Sequence, residues 1–136
     1  MRPEQMTAVT TSFQRLLLRE EMLAVLFYQR LFALEPSVKP MFGDDMRAQG
    51  RKFVDMVQIV VAGMHDPDLF DAMRALGQRH REYGVRAEHY ATVQTALLWA
   101  LQQALNEHYT IEVEQGWTAL YTMVATAMQE GTKDKD

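Results

Sequence analysis

Three polar side chains fall where the spacing of a helix calls for apolar ones. Leu69, Met73 and Leu76 step along one face by four and three, and the next position on that face is His80, within the stretch LGQRHREYGV (76–85). Gln49 stands one turn before Phe53, on the line that Met56, Val57 and Val60 continue. Tyr28 shares a stripe with Ala24, Leu31 and Phe32. A buried polar group without a partner costs about 1–3 kcal/mol. One such residue is unremarkable, but three on separate helices suggest a polar spot inside an apolar cavity.

The chemistry open to them narrows by exclusion. The residues three before the four histidines are Ala62, Gly77, Arg86 and Leu105, so the Glu-x-x-His pairs of a di-iron bundle are missing. No two histidines lie four apart, as a zinc protease helix needs. There is no cysteine, which removes disulfides, thiolate zinc sites and iron–sulfur clusters. No glycine-rich phosphate loop and no nucleophile elbow is present. A metal at His80 would therefore have that imidazole as its only protein ligand and bring its other ligands with it, as a haem does. The residues alone leave a second reading open. In it His80 is a satisfied core histidine, Tyr28 bonds a backbone carbonyl, and Gln49 is solvated near a helix start. His65, His89 and His108 fall at helix ends or in loops and read as surface residues.

The elements that must position these residues are helical almost throughout. Apolar periodicity marks helices over 3–18, 20–34, 46–64, 67–81, 87–105 and from 111 onward, with no convincing strand pattern. Pro36 suits the start of a short helical turn, and Asp66 with Pro67 form a natural N-cap and first helical residue. Gly84 suits a chain reversal and Thr110 can cap the last helix. Six or seven helices of uneven length predict an all-α sandwich with crossed packing rather than a four-helix bundle. The expectation is one domain over 1–130 and a frayed tail over 131–136.

Composition agrees. Of the 136 residues, 48% are hydrophobic, enough for a core. The net charge of −4 argues against a nucleic-acid partner. No apolar run reaches the roughly 20 residues of a membrane span, and the N-terminus lacks a signal-peptide core. The expected setting is the cytoplasm. The ten methionines are scattered, which fits core filling rather than metal binding.

Several segments together resemble a known family. LFYQRLFALEPSVKPMF (26–42), QGRKFV (49–54), LGQRHREYGVRAEHY (76–90) and TIEVEQGWTALYTMVATAM (110–128) resemble, in order and separation, the bacterial single-domain globins of the flavohaemoglobin lineage, particularly the Hell's Gate globin type. The resemblance implies a globin fold around haem b. It makes His80 the proximal iron ligand, Phe42 the ring on the haem face, and Tyr28 with Gln49 the distal pair that hydrogen-bonds bound dioxygen. Phe53 takes the distal apolar position, where the family more often has Leu or Val. Leu76, Val85, Tyr90 and Val93 line the pocket, and Arg79 is a candidate partner for a haem propionate. Tyr90 corresponds to the tyrosine of a proximal network whose acidic partner falls near Asp134, with Glu130 the other candidate.

The resemblance implies dioxygen, nitric oxide and carbon monoxide as ligands. Three functions follow: reversible dioxygen binding, nitric oxide dioxygenation with a separate reductase, and a haem-free helical binding module. A distal Gln argues against coordination of the iron by two histidines.

Overall fold

A computed structural model describes residues 1–133, and it is all-α as expected. Six helices follow in order: α1 (Pro3–Leu16), α2 (Glu20–Leu34), α3 (Met46–Gly63), α4 (Pro67–Glu82), α5 (Ala87–Leu105) and α6 (Ile111–Lys133). Three 3-10 turns, Leu17–Arg19, Pro36–Met41 and Asn106–His108, join some of them.

Local chemistry sets most boundaries. The Asp45 carboxylate accepts from the Ala48 N–H at 3.1 Å and opens α3. The Asp66 carboxylate accepts from Asp68 N–H at 3.0 Å, ahead of Pro67 at the first helical position of α4. The Thr110 hydroxyl accepts from Val113 N–H at 3.2 Å and opens α6. Gly84, at φ +98°, turns the chain between α4 and α5, and the Val85 N–H donates back to the His80 carbonyl at 3.0 Å.

The structure corrects three expectations. The first helix, expected to reach residue 18, ends at Leu16, and Leu17 opens a 3-10 turn at the surface. α6 runs on to Lys133, into the stretch expected as tail. Gly131 is buried within α6, its carbonyl accepts from Gln78 Nε2 at 3.2 Å, and the Thr132 carbonyl accepts from Arg81 at 2.8 Å. These contacts with α4 hold the last turn in helix. Residues 134–136, and so the expectation for Asp134, lie outside the described residues. His89 is buried rather than on the surface, because its Nδ1 caps the start of α5 by accepting from the Arg86 N–H at 2.9 Å.

The core comes from α4 crossing α6, α2 crossing α5, and α1 lying on α6. Trp117 of α6 donates from Nε1 to the buried Ser12 hydroxyl at 2.8 Å, and that hydroxyl donates to the Val9 carbonyl, so the buried polar groups are paired. The α4–α6 crossing is the closest. A Cβ on Gly77 would come 2.0 Å from the Met128 carbonyl oxygen, and one on Gly131 would come 2.1 Å from the Arg74 carbonyl oxygen. Only glycine at both positions lets the two backbones meet. α3 stands apart: it packs on α2 and touches α1, with no extensive packing on α4, α5 or α6 among the described residues. α3 is thus held to the rest of the fold mainly through α2.

Candidate functional site

The sequence-predicted residues fall into two groups, each carried by its own set of elements and called a wall below. α2, the Pro36–Met41 turn and α3 make the first. Tyr28 is buried, and Phe42, Gln49 and Phe53 are half-buried. The Tyr28 ring meets Phe42 edge-on at 5.3 Å and Phe53 at 6.0 Å between centroids. Its hydroxyl donates to the Gln49 backbone carbonyl at 3.3 Å, not to the side-chain amide. That is long for an O–H···O bond, so little is lost when the hydroxyl turns to a better acceptor. Burial pushes the Tyr28 pKa up to about 12, which keeps the hydroxyl protonated and able to donate.

Two residues that the sequence reading missed complete this wall. Phe27 stacks on Phe53 at 4.2 Å with the rings 8° from parallel, and meets Tyr28 edge-on at 5.0 Å. Phe32 packs on Phe42 at 5.6 Å. Four of the six phenylalanines therefore surround Tyr28. The signal for Phe27 was in the sequence: Leu23, Phe27 and Leu31 form a second i, i+4 row on α2.

α4 and α5 make the second wall. His80 is half-buried, and its Nδ1 lies 2.9 Å from the Leu76 carbonyl oxygen. A carbonyl only accepts, so Nδ1 carries the proton and Nε2 carries the lone pair. Nε2 has no hydrogen-bond partner among the described residues. Burial lowers the His80 pKa; the Leu76 hydrogen bond opposes this and the neighbouring Arg79 charge adds to it. The ring is thus held neutral. Leu76, Val85, Tyr90 and Val93 are all half-buried. Arg79 is exposed beside His80, without an ion pair among the described residues.

Of the two candidates for the proximal network, Asp134 lies outside the described residues. Glu130 pairs with Arg74 at 3.3 Å instead of meeting Tyr90. The group that does reach Tyr90 is Tyr121, whose hydroxyl donates to the Tyr90 backbone carbonyl at 2.6 Å. Val85 and Tyr90 also border an open hollow of about 440 Å³ between the ends of α4 and α6, which none of Tyr28, Gln49, Phe42 or His80 lines.

The donor set fits a haem. It offers one neutral imidazole with a free Nε2, half-buried apolar side chains on both walls, and one protonated hydroxyl on the wall of Tyr28. No cluster of three or more metal-ligating side chains exists among the described residues, so a bare ion has no cage here.

Comparisons with known proteins agree with this geometry. The profile of the globin family, "Globin", matches residues 25–128. The chain is 32% identical over 122 residues to "Neuroglobin-2" of Oncorhynchus mykiss, covering 79% of this chain and 77% of that one. It is 30% identical over 103 residues to the "Flavohemoprotein" of Vibrio cholerae, covering 73% of this chain but only 26% of that longer protein. Among solved structures, a hexacoordinated heme protein from an anhydrobiotic tardigrade superposes with a TM-score of 0.87 at 15% identity, over 98% of this chain and 96% of that one. A flavohemoglobin from Malassezia yamatoensis superposes at 0.81 and 16% identity, over 98% of this chain and 37% of that one.

Proposed function

The chain belongs to the globin family, and on that footing we propose that His80 is its proximal haem ligand and Tyr28 its distal hydrogen-bond donor, in a protein that binds dioxygen. Haem is the cofactor of this fold, and family membership removes the haem-free binding module from consideration. Haem, when bound, would supply an iron centre able to take a diatomic gas. The rest is the work of the chain.

The Nδ1–H···O=C bond to Leu76 carries the reading, because it fixes the tautomer and turns the Nε2 lone pair into the available donor. On the other wall, the Tyr28 hydroxyl would donate toward charge on a bound gas, and the Gln49 amide would be a second donor. Such donors count for more in a dry site, and the surrounding phenylalanines keep it dry. Phe42 and Phe53, with Leu76, Val85 and Val93, supply apolar contact to the macrocycle. Arg79 stands where a cation can meet a propionate.

The finer reading is a globin of the flavohaemoglobin lineage, supported by the match to the Vibrio cholerae flavohemoprotein. Tyr28 also favours a second activity, nitric oxide dioxygenation to nitrate. A protonated hydroxyl in a dry wall slows dioxygen loss, and that reaction needs dioxygen held until nitric oxide arrives. It also needs electrons from a separate reductase. Adding haem to the purified protein should give a strong absorption band that shifts on reduction and again under carbon monoxide. No band would remove the reading. Nitrate formation from nitric oxide and dioxygen, sustained by a reducing system, would separate the enzyme from a reversible binder.

A further inference from the structure

We propose that Phe27, which touches neither gas nor haem, sets the size limit of the distal site by holding the Phe53 ring still. The proposal rests on the haem–gas reading above and adds to it a substrate class: diatomic ligands enter, and bulkier ones are turned away.

Phe53 sits one turn after Gln49, on the face of α3 that meets Phe27 and Tyr28, and is only half-buried. A half-buried phenylalanine on a helix that packs little against α4, α5 or α6 would ordinarily be free to swing between rotamers. Here it is pinned. The Phe27 ring lies parallel to it at 4.2 Å, 8° from coplanar orientation, while Tyr28 meets it nearly edge-on at 67°. Phe27 itself cannot yield. It is 4% exposed, flanked on its own helix row by the buried Leu23 and Leu31, and wedged against Tyr28 at 5.0 Å. The ring that forms the wall is therefore backed by a ring fixed in the core, and a swing of Phe53 must break the stack.

The arrangement also divides labour. Phe27 immobilises Phe53, while the Tyr28 hydroxyl, on its long 3.3 Å bond, stays able to turn. A site built this way keeps a movable donor inside a wall of fixed bore. Phe27 acts only through Phe53, which makes it a positioning residue.

The test uses the haem-loaded ferrous protein and compares association rates of carbon monoxide and n-butyl isocyanide in wild type, Phe53→Leu, Phe27→Leu and Phe27→Tyr. The readout is the isocyanide-to-carbon-monoxide ratio, which a general loss of stability does not move. Phe53→Leu should raise the ratio most. Phe27→Leu, which removes one stacked contact, should raise it about three- to tenfold with a much smaller change for carbon monoxide. Phe27→Tyr keeps the ring and should keep the wild-type ratio. In the carbonmonoxy form, the proton NMR ring-flip rate of Phe53 should rise in Phe27→Leu. Should Phe27→Leu fail to fold, Phe27→Met makes the same test.

A ratio that rises in Phe53→Leu but not in Phe27→Leu would overturn the proposal, since Phe53 would then bar the site unaided. So would a ratio unchanged in both, since ligands would be bypassing the stack; in either case haem uptake and carbon monoxide binding leave the haem reading intact. A wild type that takes up no haem or carbon monoxide would overturn that reading instead, and the proposal with it.

Discussion

The wall that carries His80 is held by backbone against backbone, whereas the wall that carries Tyr28 and Gln49 is held by side chain against side chain. α4 meets α6 at Gly77 and Gly131, where each glycine faces a carbonyl of the other helix, and hydrogen bonds from Gln78 and Arg81 to the last turn of α6 lie close by. Such a crossing has almost no play. α3 has no comparable contact: its glycine facing α2, Gly50, would place a Cβ 3.1 Å from the Ala24 Cβ, a distance a small shift can absorb. The aromatic stack closes that wall instead. The difference teaches where each property lives. The position of His80 is registered by the main chain, and the shape of the Tyr28 wall is written in exchangeable side chains.

The contrast can be broken most directly by adding one methyl group to each wall. Gly77→Ala should cost about 3 kcal/mol, because the helices must separate. Gly50→Ala should stay within about 1 kcal/mol of wild type, since the gain in helix propensity offsets the small shift. Urea unfolding midpoints measure both. Equal losses would show that the two walls are fixed alike.

A chemical change on the side-chain wall should come next in size. Tyr28→Phe removes a donor with little change of volume and should speed dioxygen loss about tenfold. Its effect on stability should be small, as the 3.3 Å bond to Gln49 is weak. Stopped-flow dissociation rates decide it, and an unchanged rate would mean that the hydroxyl does not face the ligand.

Acid should act on the His80 wall alone. Burial lowers the His80 pKa below its usual 6.5, so below that pH the unfolded chain binds a proton that the folded imidazole resists. The stabilising contribution of the neutral ring is complete above about 6.5 and declines as pH falls toward the lower folded value. Protonation also takes the Nε2 lone pair, so haem should be released over the same range. Arg79→Gln removes a cation that lowers this pKa and should move release slightly to higher pH, the smallest effect of the set. Haem retention followed by absorbance against pH tests both, and retention that does not change with acid would contradict a single imidazole ligand.

Most of the frame was legible because its signals are local. Asp66 with Pro67, Thr110, Pro36 and Gly84 act within a few residues, and each marks its boundary in the structure. The junction after Leu16 has neither glycine nor proline, and there the expected boundary slipped. His80 was legible because period alone assigns its face. Phe27 was hidden because α2 buries Leu23, Ala24, Phe27, Tyr28 and Leu31, more than one stripe, so no single face stands out. The Gly77–Gly131 crossing joins residues far apart in sequence, and nothing near either glycine announces the other. The pairing of Glu130 with Arg74 rather than Tyr90 is non-local in the same way.

The central claim is that His80 Nε2 holds the haem iron. The most direct measurement compares absorption spectra of haem-loaded wild type and His80→Ala, each reduced and then exposed to carbon monoxide. Wild type should show a five-coordinate ferrous form that binds carbon monoxide, and His80→Ala should retain less haem and lack that form. Equal haem content and identical spectra in the two proteins would contradict the account.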